Sequence, residues 1–192
     1  MPRLTFFAAL GAIIERGGSH REVFELFQPG VDVEAEAARH GVAGQSDLFS
    51  LDDLYPDALG CLRELAVDGY RLGIAGNQPA PASGVMREMA IDFELVATSA
   101  EWGVAKPTPA FFERLAAELR LPPAAIAYVG DRLDNDVLPA QAAGMVGVFV
   151  RRGPWGWIQA GRSHPEAASI VVESLAELPI SLRRSPFARR GS

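Results

Sequence analysis

Three carboxylates and one amide lie within nine residues of the sequence, in the segment VGDRLDNDV at residues 129–137. The segment overlaps the end of the apolar run AIAYV, which is typical of a buried strand. Like charges repel, so a strand end that gathers Asp131 and Asp136 is expected to face a positive charge. Asp134 and Asn135 are interpreted as N-terminal caps of the helix that follows.

The elements that would position these acids alternate between helix and strand from residue 55 onward. Helical spacing predicts helices in DALGCLRELAVDG, ASGVMREMAI, TPAFFERLAAEL and NDVLPAQAAG, and short apolar runs predict strands in YRLGIA, FELVATS, AIAYVG and MVGVFV. This alternation predicts an α/β fold, a Rossmann-like parallel sheet with helices on both faces. Ligands of such sheets bind beyond the carboxyl ends of the strands, where Gly130 and Asp131 lie.

A change of pattern near the N-terminus indicates the domain organisation. Residues 17–50 are polar and helical, with Ser19 and Glu22 in the spacing of a capping box, and they predict a small helical cap insertion. Residues 1–16 and 51–182 together predict the core domain. Residues 183–192 begin with the basic stretch RRSPFARR and are expected to form a disordered tail.

Composition excludes several functional classes. The net charge of −6 and the pI near 5.1 argue against nucleic-acid binding, which needs clustered Lys and Arg. No apolar run reaches the roughly 18 residues needed to cross a bilayer, and no signal-peptide pattern is present. The single cysteine, Cys61, is expected in the core, as suits a reducing compartment. We therefore expect a soluble, cytoplasmic protein with no membrane partner.

Three stretches, RLGIAGNQP, GVAKPTPAFF and YVGDRLDNDVLPAQAAGM, resemble the haloacid dehalogenase-like hydrolase superfamily in the same order, over nearly the whole chain. Most members are magnesium-dependent phosphatases, so the resemblance implies that fold and that chemistry. Lys106 matches the lysine that neutralises the nucleophile and the phosphate. Asp131 matches a direct Mg²⁺ ligand and Asp136 a ligand or water holder, in keeping with the preference of Mg²⁺ for hard oxygen ligands.

The chain departs from the family pattern where bonds are made. The family has an Asp-x-Asp pair just after its first strand; aligned on a Phe and a Gly, this chain has Ala8 at the nucleophile position and Leu10 at the general acid/base position. Gly76 stands where a Ser or Thr binds a phosphate oxygen, with Asn77 beside it. Because alanine has no attacking atom, the resemblance implies a loss of turnover on the order of 10⁴ to 10⁶.

The same losses weaken the implied metal site. Its remaining ligands would be waters and the Leu10 backbone carbonyl, Asp131 and Asp136. We therefore expect weak Mg²⁺ binding or none. We favour interpreting Lys106 as the partner of Asp131 in a partly buried ion pair. The alternative is that Lys106 and backbone N–H groups near Gly76 and Asn77 bind phosphate or another small anion.

Two functions remain open from the sequence. The first is a catalytically impaired member of the family, retained as a binding or interaction module for a small anion or a protein partner, with a homodimer as one such interaction. The alternative is an active Mg²⁺-dependent phosphatase of small phosphoesters that uses a non-standard acid; Asp47, Asp52 and Asp53 are the candidates. An engineered or unusual chain start is a third interpretation of the missing acids.

Overall fold

The protein is described by a computed structural model that covers residues 3–19, 21–32, 35–36, 50–162 and 165–185. Its helices are α1 (Arg3–Glu15), α2 (Glu22–Phe27), α3 (Ala58–Val67), α4 (Ala82–Arg87), α5 (Ser99–Trp102), α6 (Pro109–Leu119), α7 (Leu138–Ala142), α8 (Gly153–Arg162) and α9 (Leu178–Arg184). Its strands are β1 (Leu72–Gly76), β2 (Phe93–Thr98), β3 (Ala127–Gly130), β4 (Val146–Val150) and β5 (Ile170–Val172). Within these ranges, no helix has the length and apolar character needed to cross a membrane.

The strands form two parallel sheets. β1 pairs with β2 in one, and β3, β4 and β5 lie side by side in that order in the other. Every strand predicted between residues 70 and 150 is present, and so are the helices between them, which confirms the α/β fold with parallel pairing. The difference from expectation is that the sheet is divided, with β1 and β3 each at the end of its own sheet.

Helices cover both faces and join the two sheets into one core. On one face, Cys61 of α3 and Leu182 of α9 belong to a buried cluster that contains Leu72 of β1 and Val148 of β4. On the other face, the cluster around Phe111 of α6 takes in side chains from both β1 and β3. Apolar residues on one face of each amphipathic helix therefore hold the two sheets in a common layered arrangement.

A side chain connects the two sheets directly. The Tyr128 hydroxyl of β3 donates a hydrogen bond of 3.0 Å to the Ala75 carbonyl of β1. The two strands are not hydrogen-bonded neighbours, and their Cα atoms are mostly more than 8 Å apart. Tyr128 is buried against Phe111 and Phe112, so this hydroxyl is fixed by packing rather than free to turn toward water.

The N-terminal segment differs from the prediction. If Ala8 stood at the nucleophile position of the family, a strand would come directly before it. Instead, residues Arg3–Glu15 form the helix α1. Leucine and alanine are strong helix formers, and the β-branched pair Ile13 and Ile14 comes only at the end, where both side chains are buried. An apolar run of this kind does not by itself distinguish a strand from a helix. Gly17, with φ of 82°, lies just beyond the helix end.

The described part of the predicted cap, residues 17–19, 21–32, 35–36 and 50, contains the helix α2. The Ser19 N–H donates to the Glu22 carboxylate at 2.7 Å, which is one half of the predicted capping box. Rings of α2 pack on α1, with Phe24 and Phe27 centred 5.7 and 6.4 Å from Phe6. The boundaries of the cap stay a prediction, because residues 33–34 and 37–49 lie outside the described residues.

The C-terminal helix α9 corrects the predicted tail. Arg183 and Arg184, expected in a disordered segment, form the last residues of α9. The Arg183 guanidinium pairs with Glu64 of α3 at 2.9 Å and with Asp68. These two carboxylates, one on α3 and one just after it, therefore hold Arg183 in the ordered helix beyond the expected boundary. The remaining tail residues, 186–192, lie outside the described part of the chain.

The single cysteine lies where composition predicts it. Cys61 is 4% exposed, in the cluster between α3 and the sheet. Burial raises the pKa of its thiol to about 11, and the charges of Asp57 and Glu64 add to the shift. The thiol is therefore a protonated core side chain at neutral pH.

We predict that Tyr128→Phe lowers the free energy of unfolding by about 1 kcal/mol, because it removes the hydrogen bond to the Ala75 carbonyl and keeps the ring. Urea unfolding monitored by circular dichroism measures the change. Tyr55→Phe is the matched control, since Tyr55 is half exposed and its hydroxyl makes no such link between the sheets. Equal stability of both variants would show that the link contributes nothing.

Candidate active site

The candidate site lies where β1 and β3 end. Asn77 follows β1, and its side chain forms two hydrogen bonds with the backbone of Lys106: it accepts from the N–H at 2.8 Å and donates to the carbonyl at 2.9 Å. The lysine loop, which contains a cis peptide bond between Lys106 and Pro107, is thereby fastened to the end of β1. The predicted site residues Gly76, Asn77 and Lys106 do meet, although the Asn77 side chain is already used for this contact.

Lys106 forms a buried ion pair, with a partner other than the predicted one. Its Nζ lies 2.6 Å from Asp136 Oδ1, and the exposed fractions of the two side chains are 12% and 5%. Asp136 also accepts hydrogen bonds from the Arg132 N–H at 3.1 Å and from the Asn135 side chain at 3.0 Å. The expected pairing of Lys106 with Asp131 is wrong, because the chain after β3 turns Asp136 back toward the lysine.

Gly130 makes that turn possible. A Cβ at this position would lie 2.4 Å from the Asp136 Cβ, a separation that real side chains do not reach. The π-helical segment Leu133–Val137 carries Asp136 into the space that the missing side chain leaves. The glycine before Asp131 is therefore required by the packing of the carboxylate that pairs with Lys106.

Lys106 remains charged despite its burial. Burial alone favours the neutral amine, but the Tyr128 oxygen and the Asp136 carboxylate outweigh it and raise the pKa of Lys106 above its ordinary value. The ammonium also lies 5.4 Å from the centre of the Tyr128 ring. Burial raises the pKa of Tyr128 to about 12, so the phenol stays a neutral donor to Ala75.

Asp131 is the acid that the surrounding side chains do not neutralise. Burial, and then the charge of Asp136, raise its pKa above the ordinary value. The hydrogen bonds and ion pairs of the described residues include none from another side chain to its carboxylate. Its Oδ2 lies 3.0 Å from where a Cβ of Gly153 would be, so the start of α8 approaches it closely.

Asp134 and Asn135 do not cap a helix, contrary to the prediction. Asp134 pairs with Arg132 at 2.7 Å and accepts a 2.7 Å hydrogen bond from the Gln159 side chain of α8. Asn135 donates to Asp136. Both therefore support the acidic loop from outside and connect it to α8, because the π-helical start of the segment has no side-chain cap.

Ala8 and Leu10 do not occupy the positions that the alignment assigned to them. Both lie within α1, which packs against α2 and α8 and not in the sheet. Ala8 is exposed, and the Leu10 carbonyl lies inside a helix, where the N–H four residues later is its regular partner. The assignment of Ala8 to the nucleophile position is wrong, and so is the Leu10 carbonyl as a metal ligand.

The sequence did not predict a polar cluster beside the candidate site, formed by Tyr55, Asp57 and Arg152. Arg152 lies 4.0 Å from the centre of the Tyr55 ring and pairs with Asp57. The hydrogen bond from Arg152 is the main cause of a lowered pKa at Asp57, ahead of the opposing effect of burial. Arg152 directly precedes Gly153, so this cluster borders Asp131. No local pattern could have indicated it, because Asp57 and Arg152 are 95 positions apart.

The described residues do not complete a Mg²⁺ site. No group of three or more His, Cys, Asp or Glu side chains among them could hold a metal ion. Asp136 already binds Lys106 and two N–H donors, which leaves Asp131 as the one carboxylate of the pair with free oxygens. Mg²⁺ requires near-octahedral oxygen coordination, so one free carboxylate is a partial ligand set.

We predict that Lys106→Met lowers the free energy of unfolding by about 3 kcal/mol, because it leaves the Asp136 carboxylate buried without its counter-ion. The double variant Lys106→Met with Asp136→Asn is the control, since it removes both charges and is expected to be the more stable of the two. Chemical denaturation measures both. A single variant as stable as the unmodified protein would contradict a structural role for the pair.

We predict that Asp131→Asn raises the stability at pH 7 in metal-free buffer by up to about 1 kcal/mol. The folded-state pKa of Asp131 is raised above its ordinary value of 3.8, so ionisation costs stability above the folded pKa. The advantage of the variant should vanish as the pH falls through that pKa. Unfolding curves across this pH range test the sign, with the exposed Asp52→Asn as control; an advantage that is independent of pH would contradict it.

Known proteins of one family are similar in sequence to most of this chain. Residues 6–144 match the profile of the haloacid dehalogenase-like hydrolases. A glyceraldehyde 3-phosphate phosphatase from Methanopyrus kandleri is 34% identical over 147 residues, which cover 73% of this chain and 63% of that protein. The chain thus spans less than two thirds of the length of that relative. A sesquiterpene phosphatase, astK from Aspergillus oryzae, is 30% identical over 156 residues, which cover 73% of this chain and 76% of that protein.

Solved structures share the fold. A HAD phosphatase from Thermococcus onnurineus superimposes with a TM-score of 0.59 at 22% sequence identity, over 95% of this chain and 90% of that one. The extent of the family match, joined to the parallel sheets and the acidic loop after β3, supports one conclusion. The chain belongs to the haloacid dehalogenase-like hydrolases.

Proposed function

We propose that this chain is a phosphatase-like binding module, which takes a phosphate or another small anion where β1 and β3 end and turns phosphoesters over poorly or not at all. The observation that carries the proposal is the buried, charged Lys106, held at this edge by Asp136 and by Asn77. An ammonium group has three donors, and Asp136 takes one of them. Backbone N–H groups at the end of β1, at Gly76 and Asn77, are the further donors that an anion would use.

The proposed loss of phosphatase activity is argued from the carboxylates that the described residues provide. Covalent phosphoryl transfer needs a carboxylate oxygen in line with phosphorus. Asp136 is buried and has hydrogen bonds to both of its oxygens. Asp131 has free oxygens, and a single acid cannot act as nucleophile, acid/base and metal ligand at once. The described residues therefore supply the charge balance of the site and lack a dedicated attacking group.

The second candidate is an active Mg²⁺-dependent phosphatase of small phosphoesters. The two phosphatases with which the chain shares 34% and 30% identity favour it, as does the unneutralised Asp131 carboxylate. Of the acids that the sequence offers as replacements, Asp53 is engaged with the N–H of Ser50 and Asp52 lies exposed in the same turn. Asp47, the third, lies outside the described residues. Mg²⁺ would supply charge stabilisation at the phosphoryl group, with Asp131 as its ligand.

A protein partner or a second copy of the chain remains part of the proposal. Helix α1 exposes Leu4 and Phe7, with exposed fractions of 83% and 63%, and exposed Leu26 lies on the neighbouring α2. Exposed apolar side chains grouped in this way are common at interaction surfaces. Sedimentation velocity of the chain at several concentrations measures the self-association.

We predict that hydrolysis of p-nitrophenyl phosphate with Mg²⁺ is at most on the order of 10⁻⁴ of the rate of an intact phosphatase. Inorganic phosphate is expected to raise the melting temperature of the unmodified protein, because a ligand that binds only the folded state stabilises it. Lys106→Arg should reduce that shift and retain the positive charge. Asp131→Asn serves as a control that leaves the phosphate shift in place.

Two outcomes would overturn the proposal. Metal-dependent turnover that Asp131→Asn abolishes would establish the active phosphatase instead. The absence of any thermal shift with phosphate would remove the anion-binding role and leave a protein partner as the explanation. A thermal shift with Mg²⁺ alone, lost in Asp131→Asn, would assign the metal to that carboxylate.

A further inference from the structure

The Tyr55 hydroxyl and the Asp131 carboxylate lie beside one small space next to Gly153. A Cβ at Gly153 would lie 3.0 Å from Asp131 Oδ2 and 3.9 Å from the Tyr55 hydroxyl oxygen, so the two oxygens are separated by no more than the sum of these distances. Among the described residues, and apart from the chain around Gly153 itself, no other heavy atom comes within 4 Å of that point. The side chain that Gly153 lacks therefore leaves a space beside the candidate site, lined by one phenol and one carboxylate.

Neither of these two groups is used within the described part of the chain. Tyr55 is 51% exposed, and its hydroxyl has no hydrogen-bond partner among the described residues. Asp131 accepts no hydrogen bond from another described side chain. A phenol donates one hydrogen bond and an ionised carboxylate accepts several, so the space offers a donor and an acceptor to a ligand.

The Tyr55 ring is fixed by its neighbours despite its exposure. The Arg152 guanidinium lies 4.0 Å from the centre of the ring and is itself paired with Asp57. Asp57 also accepts the Leu175 N–H at 3.0 Å, which ties this pair to the chain after β5. The Tyr55 carbonyl accepts the Ala58 N–H at 2.9 Å, at the start of α3. The hydroxyl is therefore preorganised, and a ligand that binds to it orders little further structure.

A hydroxyl group of a ligand suits both partners. It accepts a hydrogen bond from a phenol and donates one to a carboxylate, whereas a carbonyl only accepts and an alkyl group does neither. Hydrogen bonds between oxygens are about 2.8 Å long, so one hydroxyl, or two on adjacent carbons, bridge a gap of this size. Asp131 follows Gly130, against which Asp136 packs, and Asp136 holds the Lys106 ammonium. The space is thus separated from the proposed phosphate site by one short loop.

We propose that Tyr55 is a specificity-determining residue, which selects phosphate monoesters of small alcohols that carry further hydroxyl groups. The phosphate lies at Lys106, and a hydroxyl of the organic part bridges Tyr55 and Asp131. An ester without such hydroxyls leaves the partly buried Asp131 carboxylate without a hydrogen bond when the ligand displaces water from it. The inference rests on the proposed function, because it needs the anion to bind at Lys106.

Two esters with the same carbon chain test the selection: glycerol 3-phosphate, which has further hydroxyl groups, and n-propyl phosphate, which has none. Isothermal titration measures the binding of each to the full chain, in a buffer without divalent cations so that turnover does not interfere. We expect glycerol 3-phosphate to bind at least about fivefold more tightly, which is the effect of one or two hydrogen bonds. Inorganic phosphate, titrated in the same way, measures binding at Lys106 alone.

A matched pair of tyrosine variants locates the selection. Tyr55→Phe removes the hydroxyl and keeps the ring against Arg152, so the preference for glycerol 3-phosphate over propyl phosphate should fall at least about threefold. Tyr70→Phe removes a hydroxyl just before β1, at the opposite end of that strand from the candidate site, and should leave the preference unchanged. Circular dichroism checks the fold of both variants.

Equal affinity of the unmodified protein for the two esters would overturn the inference, and so would a preference that Tyr55→Phe leaves intact. In both cases, binding of inorganic phosphate would leave the proposed function standing. If neither phosphate nor either ester binds, the proposed anion-binding function fails and the role of Tyr55 fails with it. A preference that Tyr55→Phe lowers and Tyr70→Phe keeps supports the assignment.

Discussion

The ion pair between Lys106 and Asp136 is the contact on which the candidate site depends. It connects the loop after α5 with the segment after β3, while Asn77 fastens the same lysine to the end of β1. Its burial makes the separation of the two charges expensive, so the three loops have one preferred arrangement. Gly130 is part of this constraint because its lack of a side chain admits Asp136. The relative positions of the other site residues, Asp131 above all, follow from this geometry.

Two carboxylates of one short loop thereby acquire different roles. Asp136 receives a cation and two N–H donors and acts as a structural anion. Asp131, five positions earlier, has a raised pKa and remains accessible to a ligand. The contrast comes from the turn between them, since the residue types are identical. The proposed anion binding begins at Lys106, which keeps donors beyond the one that Asp136 takes, whereas a catalytic function would need Asp131.

The sequence predicted the middle of the fold well, and for a physical reason. Between α3 and β4, helical and strand periods alternate with clear glycine and proline boundaries, such as Pro109 at the start of α6. The secondary structure of the N-terminal apolar segment could not be predicted in this way, because a segment rich in alanine and leucine suits a helix or a buried strand. The sequence singled out Lys106, Asp131 and Asp136 as candidates, but not which acid pairs with the lysine. That choice, like the contact of Asp57 with Arg152, depends on how distant segments fold back on each other.

The lone thiol in the core gives this molecule an internal reporter. Cys61 lies between α3 and both sheets, and it is a protonated thiol at neutral pH, so a thiol reagent in solution can react with it only when that layer opens. The rate of disulfide exchange between Cys61 and a small aromatic reagent would therefore measure how often the core around this residue opens. The measurement needs no introduced label.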